Sequence, residues 1–132
     1  MGYYTKFEGE IRIDPPQTWR EVKDSPYLPD AAQRTGMVDV KFNVQESVEE
    51  TDDGTVTRRW ADGIVPLQDD RYKGYSIIET VQKIIDQYKG GHAFSGRFDC
   101  EGEGTGDMWR LVVRNGRAEK VEPRIVWPDD EA

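Results

Sequence analysis

The chain has 132 residues, of which 36% are hydrophobic and 33% are charged, with a formal net charge of −8, and this length predicts one domain over residues 1–132. The acidic balance argues against direct nucleic-acid binding, and no apolar run approaches the roughly 20 residues of a membrane span. Because a single cysteine excludes an internal disulfide bond, no oxidising compartment is required, and we expect a cytoplasmic protein.

The first element in chain order is a strand. Residues 3–13 alternate between apolar and polar side chains, which is typical of a half-buried strand. The two prolines that follow should end it, because proline cannot donate to a sheet ladder. Thr18 and Glu21 then fit a capping box, which predicts a short helix over about 18–24. The segment 24–36 holds two further prolines and has the composition of a surface loop.

The middle of the chain predicts a hairpin and then a helix. Inward-facing apolar residues at alternate positions indicate a strand over 38–44, and the turn signal at 52–54 leads into a third strand over 55–65. Ser76 and Glu79 fit a second capping box ahead of the strongest helix signal, which two glycines terminate. The apolar face of this core helix consists of Ile77, Ile78, Val81, Ile84, Ile85 and Tyr88.

The last third of the chain predicts three strands. Directly opposed residues of an antiparallel pair share a face, so the apolar alternation places Cys100 opposite Trp109 and Asp99 opposite Arg110. Residues 102–107 are left as the loop of this hairpin.

The final strand follows Asn115-Gly116. A two-residue turn there would set Val121 opposite Arg110, on the polar face. We therefore expect a three-residue loop with Gly116 left-handed, or a bulge further along.

Four acids around this hairpin loop are candidate metal ligands. They nearly follow the template of a calcium-binding loop, with Gly104 at its sixth position. Arg110 stands where the template requires a bidentate acid, and strands flank the loop instead of helices. A hairpin turn is the first interpretation, and a looser divalent-cation or small-ligand site is the alternative. The four acids are Asp99, Glu101, Glu103 and Asp107.

No catalytic constellation is evident in the sequence. His92 and Cys100 would lie about 26 Å apart along one strand, at roughly 3.3 Å per residue. Cys100 has the parity of the apolar face, which predicts an inert core thiol, and His92 should be an exposed loop residue. One histidine and one cysteine exclude a zinc site of the usual kind. We therefore expect no catalytic residues and no cofactor.

The order of elements, β-α-β-β-α-β-β-β, predicts the α+β class. We expect a single antiparallel or mixed β-sheet with one long amphipathic helix and one short helix. A ferredoxin-like arrangement with an added strand is one topology that this order allows. The acidic tail, residues 128–132, should be frayed.

Several segments of the chain resemble a family of small uncharacterised acidic proteins of phages and actinobacteria. They are MGYYTKFEGEIRIDPP, KDSPYLPD, KGYSIIETVQ and FDCEGEGTGDMWRLVVRNGRAEKVEPRIVWPD. The likeness covers nearly the whole chain and is weakest between about residues 45 and 65. It implies a phage or phage-related origin and an intracellular location in the host, and it brings no activity and no catalytic residues with it.

The leading hypothesis for function is a non-catalytic accessory or inhibitor that binds a host or phage protein with a basic surface. Its basis is the net charge of −8, the single histidine and the missing catalytic constellation. Mimicry of DNA by ordered carboxylates is a special case of this hypothesis. The alternatives are the cation- or ligand-binding module described above and an enzyme that uses carboxylates in a cleft.

Overall fold

Six strands form one antiparallel sheet in this computed structural model, which describes the backbone of residues 2–131 and the side chains of residues 2–129. The order across the sheet is β2-β3-β1-β4-β5-β6. In chain order the strands are β1 (Lys6–Thr18), β2 (Val40–Thr51), β3 (Gly54–Pro66), β4 (Ala93–Glu101), β5 (Met108–Arg114) and β6 (Arg117–Val121).

Three helices cover one face of this sheet: α1 (Trp19–Val22), α2 (Pro29–Thr35) and α3 (Ile77–Tyr88). The inward side chains of five strands and the buried side chains of the helices form one hydrophobic core. The opposite face of the sheet carries charged side chains and no helix in the described residues. Burial on one face explains why the strands alternate between apolar and polar residues.

The predicted fold class is wrong. Strand makes up 48% of the structure and helix only 20%, in three short helices, so no long amphipathic helix dominates the fold. Every strand pair of the described chain is antiparallel, whereas a ferredoxin-like fold is built from βαβ units, which need parallel strands. Part of the segment 24–36 is helical, because Pro29 begins α2 and the left-handed Gly36 ends it.

The first strand also differs from its prediction, because its prolines do not end it. β1 runs on to Thr18, and its register against β3 shifts between Arg12 and Gln17. Both prolines lie inside this irregular stretch, where the ladder to β3 is interrupted and a missing N–H removes no bond. Thr18 and Glu21 then form the predicted capping box of α1.

The register of the β4–β5 hairpin is confirmed. Cys100 lies opposite Trp109, and Asp99 lies opposite Arg110. The expected three-residue loop or bulge between β5 and β6 is wrong. Asn115 and Gly116 form a two-residue turn, and both have positive φ (53° and 75°), as a primed hairpin turn requires.

Val121 consequently lies opposite Arg110 on the open face of the sheet. It is partly buried there and lines a groove together with Glu122, Pro123 and Arg124. The prediction assumed that an apolar residue of this strand must face the core, and for Val121 that assumption is wrong.

The start of α3 is held differently from the prediction. The helix has its predicted buried face, but the Ser76 side chain makes no capping hydrogen bond. The Ser76 N–H instead donates to Oδ2 of Asp39 at 2.9 Å, so a carboxylate from a distant part of the chain takes the place of a local cap. At the C-terminus, Pro128–Glu131 form one 3-10 turn, Ala132 lies outside the described residues, and the fraying of the tail stays a prediction.

Candidate protein-interaction surface

The structure pairs two of the four candidate metal ligands with arginines. Asp99 accepts a hydrogen bond from Nε of Arg110 at 2.9 Å, across the strand pair that the sequence predicts. Arg71 donates to the backbone carbonyl of Glu101 at 2.9 Å and lies 3.9 Å from its carboxylate. Both acids are thus engaged in surface ion pairs, which contribute little stability but use the lone pairs that a cation would need.

The other two candidate ligands lie in the hairpin loop, which Tyr3 fills. The Tyr3 hydroxyl donates to the carboxylate of Asp107 and accepts the N–H of Gly104, the latter at 2.9 Å. Glu103 is exposed. Across the described residues, no group of three or more His, Cys, Asp or Glu side chains is arranged to hold a metal ion. The cation site at this loop stays a prediction that the geometry does not favour.

His92 and Cys100 both serve the fold. The His92 ring is 7% exposed, not an open loop residue, and its nitrogens lie 2.6 Å from the carbonyl oxygen of Pro15 and 2.9 Å from the Glu21 carboxylate. It therefore ties the start of β4 to β1 and α1. Burial raises the pKa of the Cys100 thiol to about 12, so the thiolate needed for nucleophilic chemistry is not formed at neutral pH.

The distal halves of β2 and β3 form a surface of a different kind. From the pair Glu46–Arg59 to the closing pair Thr51–Gly54, the two strands keep an unbroken ladder. Every residue in 46–59 is exposed, so neither face of this ribbon touches the core. We call residues 46–59 the arm. Its backbone is held by the β2–β3 ladder, and its side chains are exposed to solvent.

The arm is strongly acidic towards its tip. It carries five acidic and two basic side chains, and both arginines lie near its base. There Arg59 reaches the Glu46 carboxylate at 3.7 Å and stacks over Trp19 at 5.5 Å from the ring centre. Within the described residues no ion pair involves the four tip carboxylates. The tip carboxylates belong to Glu49, Glu50, Asp52 and Asp53.

A second exposed surface lies at the opposite end of the sheet. The segment after β6 leaves Ile125 87% exposed and Trp127 69% exposed. Beside it, a groove of about 410 Å³ opens on the sheet face, with Met108 and Val121 in its lining. Charged side chains of both signs also line this groove, so its chemistry selects no class of partner as clearly as the arm does.

A family model described as "Family of unknown function (DUF6205)" matches residues 1–132, and the chain therefore belongs to this family. No curated protein and no solved structure matches the chain. Among the described residues, every helix is too short or too polar to span a lipid bilayer.

Proposed function

We propose that this member of the family is a non-catalytic protein-binding module, an accessory or inhibitor that binds a partner with a basic surface through the arm. The partner is a protein of the host cell or of a phage. The observation that supports this proposal is the arm itself, an ordered ribbon that is exposed on both faces and carries four carboxylates at its tip.

The arm gains little stability from its own contacts. An isolated two-stranded hairpin is marginally stable in water, because it buries little apolar surface against the entropy of ordering its chain. Val48 and Val56 remain 61% and 39% exposed on it. A partner that covers the arm would bury these side chains and neutralise the carboxylates at the same time. Complementary charge chiefly accelerates and orients such an encounter.

The remaining reactive groups support a non-catalytic role. His92 is held by a carbonyl and a carboxylate, and the Cys100 thiol is buried. Neither lies on the arm. The chemistry available at the tip is that of carboxylates facing water, which attract cationic side chains and raise the rate of association.

The test is a tagged pull-down from host lysate, washed at increasing salt, with nuclease added to half of the samples. The tip variant replaces four carboxylates by amides: E49Q, E50Q, D52N and D53N. We expect a stoichiometric partner that the wild type retains and the tip variant loses, with retention falling as salt rises. A partner that itself binds DNA would assign the special case of DNA mimicry.

The matched control has the same net charge as the tip variant but changes acids outside the arm: D69N, E79Q, E103Q and E119Q. These side chains are exposed, and within the part of the chain that the structure describes they make no hydrogen bond or ion pair. Equal loss of the partner from both variants would mean that overall charge alone drives the association. Retention by the tip variant would overturn the arm as the binding surface.

A further inference from the structure

The outer edge of the arm belongs to β2, which is the first strand of the sheet and has no neighbour on its other side. In an antiparallel strand, alternate residues direct their N–H and C=O groups to one edge. The hairpin turn shows which residues these are. Thr51 and Gly54 close a two-residue turn and are the hydrogen-bonded pair. Glu50 and every second residue before it therefore turn their backbone groups outward.

A second observation indicates that the same alternate residues of β2 turn their backbone groups outward. The N–H of Phe42 donates to the carbonyl oxygen of Tyr27 at 2.8 Å, away from β3. The register shift after Asn43 skips Asp62, so the extra residue lies on β3 and the alternation of β2 is not interrupted. The outward backbone groups on the remaining edge are those of Val44, Glu46, Val48 and Glu50.

These four residues form an unpaired ladder edge. Near Phe42 the edge is covered by the Tyr27 carbonyl, but no backbone hydrogen bond beyond the β2–β3 ladder reaches residues 44–50 in the described chain. A row of free N–H and C=O groups of this length is a template for one more strand. Natural proteins commonly protect such edges, and here the protection is charge.

Charge selects what can pair with this edge. If a second copy paired antiparallel through its own β2, the acids at 46 and 50 would face the same acids of its partner, and like charges at cross-strand positions are destabilising. A strand with cationic side chains gains from those same acids. The edge is thus closed to self-pairing and open to a basic segment.

We infer that the arm binds its partner by strand addition, in which an extended, lysine- or arginine-rich segment of the partner pairs with β2 along residues 44–50. This inference rests on the proposed function and specifies its mode. Glu46, Val48 and Glu50 point to the same side of the ribbon, since they alternate along one strand. A matching strand presents a basic, then an apolar, then a basic side chain at alternate positions on that side.

The direct probe is a synthetic peptide of sequence TKTVTKT, capped at both ends, titrated into the full chain labelled with ¹⁵N. We expect the amide protons of Glu46, Val48 and Glu50 to shift and to exchange more slowly with solvent. Two control peptides keep the sequence and the charge but carry N-methyl groups at alternate residues, one at the lysines and the valine and the other at the threonines. The first lacks the N–H donors of an antiparallel ladder to β2, and the second lacks those of a parallel ladder. Equal binding of both controls, or shifts confined to other strands, would overturn strand addition.

A proline variant tests the same edge from within the chain. V48P removes an outward N–H without removing a bond of the β2–β3 ladder, and we expect it to weaken peptide binding more than tenfold. V48T keeps the N–H and removes only apolar side-chain contact, so V48P should weaken peptide binding severalfold more than V48T does. The control on the opposite edge is K120P, where Ala118 shows the outward parity by donating to Oε1 of Gln82 at 2.8 Å. Because the Lys120 side chain also pairs with Glu122 and stacks over Trp109, K120P is compared with K120Q, and the two should bind the peptide alike.

A failure of strand addition and a failure of the proposed function would give different results. If the lysate partner is lost from the tip variant but still binds V48P, the proposed function stands and strand addition is wrong. If the peptide protects the edge while no lysate partner depends on the tip acids, the edge is a pairing site and the proposed function is wrong. Protection that appears without peptide and rises with protein concentration would identify a second copy as the occupant and contradict the inference.

Discussion

The two ends of β3 differ in burial. From Ala61 onward the strand packs into the core, and Ala61 and Ile64 are fully buried. From Gly54 to Arg59 the same strand is exposed on both faces. The ladder to β2 runs through both halves, so hydrogen bonding does not distinguish the arm from the rest of the chain, which we call the body. Burial distinguishes them, because the side chains of the arm lie outside the core.

The largest expected effect comes from substitutions that probe this difference in burial. Phe98 is fully buried in the body, and we expect F98A to lower the free energy of unfolding by about 3–5 kcal/mol, since the truncation leaves a cavity. V48T on the arm should change it by less than about 0.5 kcal/mol. Denaturant unfolding of both variants checks this prediction, and a comparable loss in V48T would mean that the arm is part of the folded core.

A smaller effect is expected at the β4–β5 loop, which unlike the arm tip is tied to the body. Y3F removes the hydroxyl that contacts Asp107 and Gly104. We expect a loss of about 0.5–1.5 kcal/mol, typical of a hydrogen bond. Amide exchange at residues 102–107 should become faster while exchange at the arm tip does not change. Equal exchange in wild type and Y3F would show that Tyr3 does not order the loop.

The carboxylate of Glu21, which lies outside the arm, should make the stability of the fold depend on pH. The hydrogen bond from the Thr18 backbone, with smaller contributions that include His92, lowers the pKa of Glu21 below its ordinary value of 4.5. Its contribution to stability is therefore full above pH 4.5 and is lost as the pH falls through the lowered pKa. We expect E21Q to melt below the wild type at pH 6, with a difference that shrinks towards pH 3. A constant difference over this range would contradict the coupling.

The smallest expected effect is at Asp39, where the pH dependence of stability has the opposite sign. Burial raises the pKa of Asp39 above its ordinary value of 3.8, although the N–H of Ser76 opposes this shift. The stability that Asp39 contributes is full below pH 3.8 and declines as the pH rises through the raised pKa. We expect D39N, which keeps an acceptor for Ser76, to gain in melting temperature relative to the wild type between pH 4 and pH 7. A fixed offset across these values would show that Asp39 titrates alike in the folded and unfolded chain.

Local pattern was sufficient wherever one face of an element meets the core. The register of the β4–β5 hairpin follows from alternation alone, because a shift of one residue would turn Phe98 and Cys100 to solvent. The buried face of α3 follows from its helical spacing in the same way. The capping box at Thr18 is a local contact and was equally readable.

Two of the failures involve partners that are distant in the chain. Ser76 finds its acceptor on Asp39, 37 residues away, and Tyr3 reaches the loop 101 residues later. The fold class was wrong because the sequence does not state how long each strand continues after its inward residues end. The predicted turn at 52–54 and the third strand over 55–65 match the structure, but the second strand was predicted to end at 44 and runs on to Thr51. The arm was missed because this extension has no apolar face.

Hydrogen–deuterium exchange, recorded on the chain alone and on the chain with the protein captured from lysate, will show whether the arm is where a partner binds. We predict slower exchange in residues 44–59 on binding, with the alternate residues of the β2 edge most affected. Slower exchange along the open sheet face and residues 121–127, with the arm unchanged, would place the partner on the other surface and rule out binding at the arm.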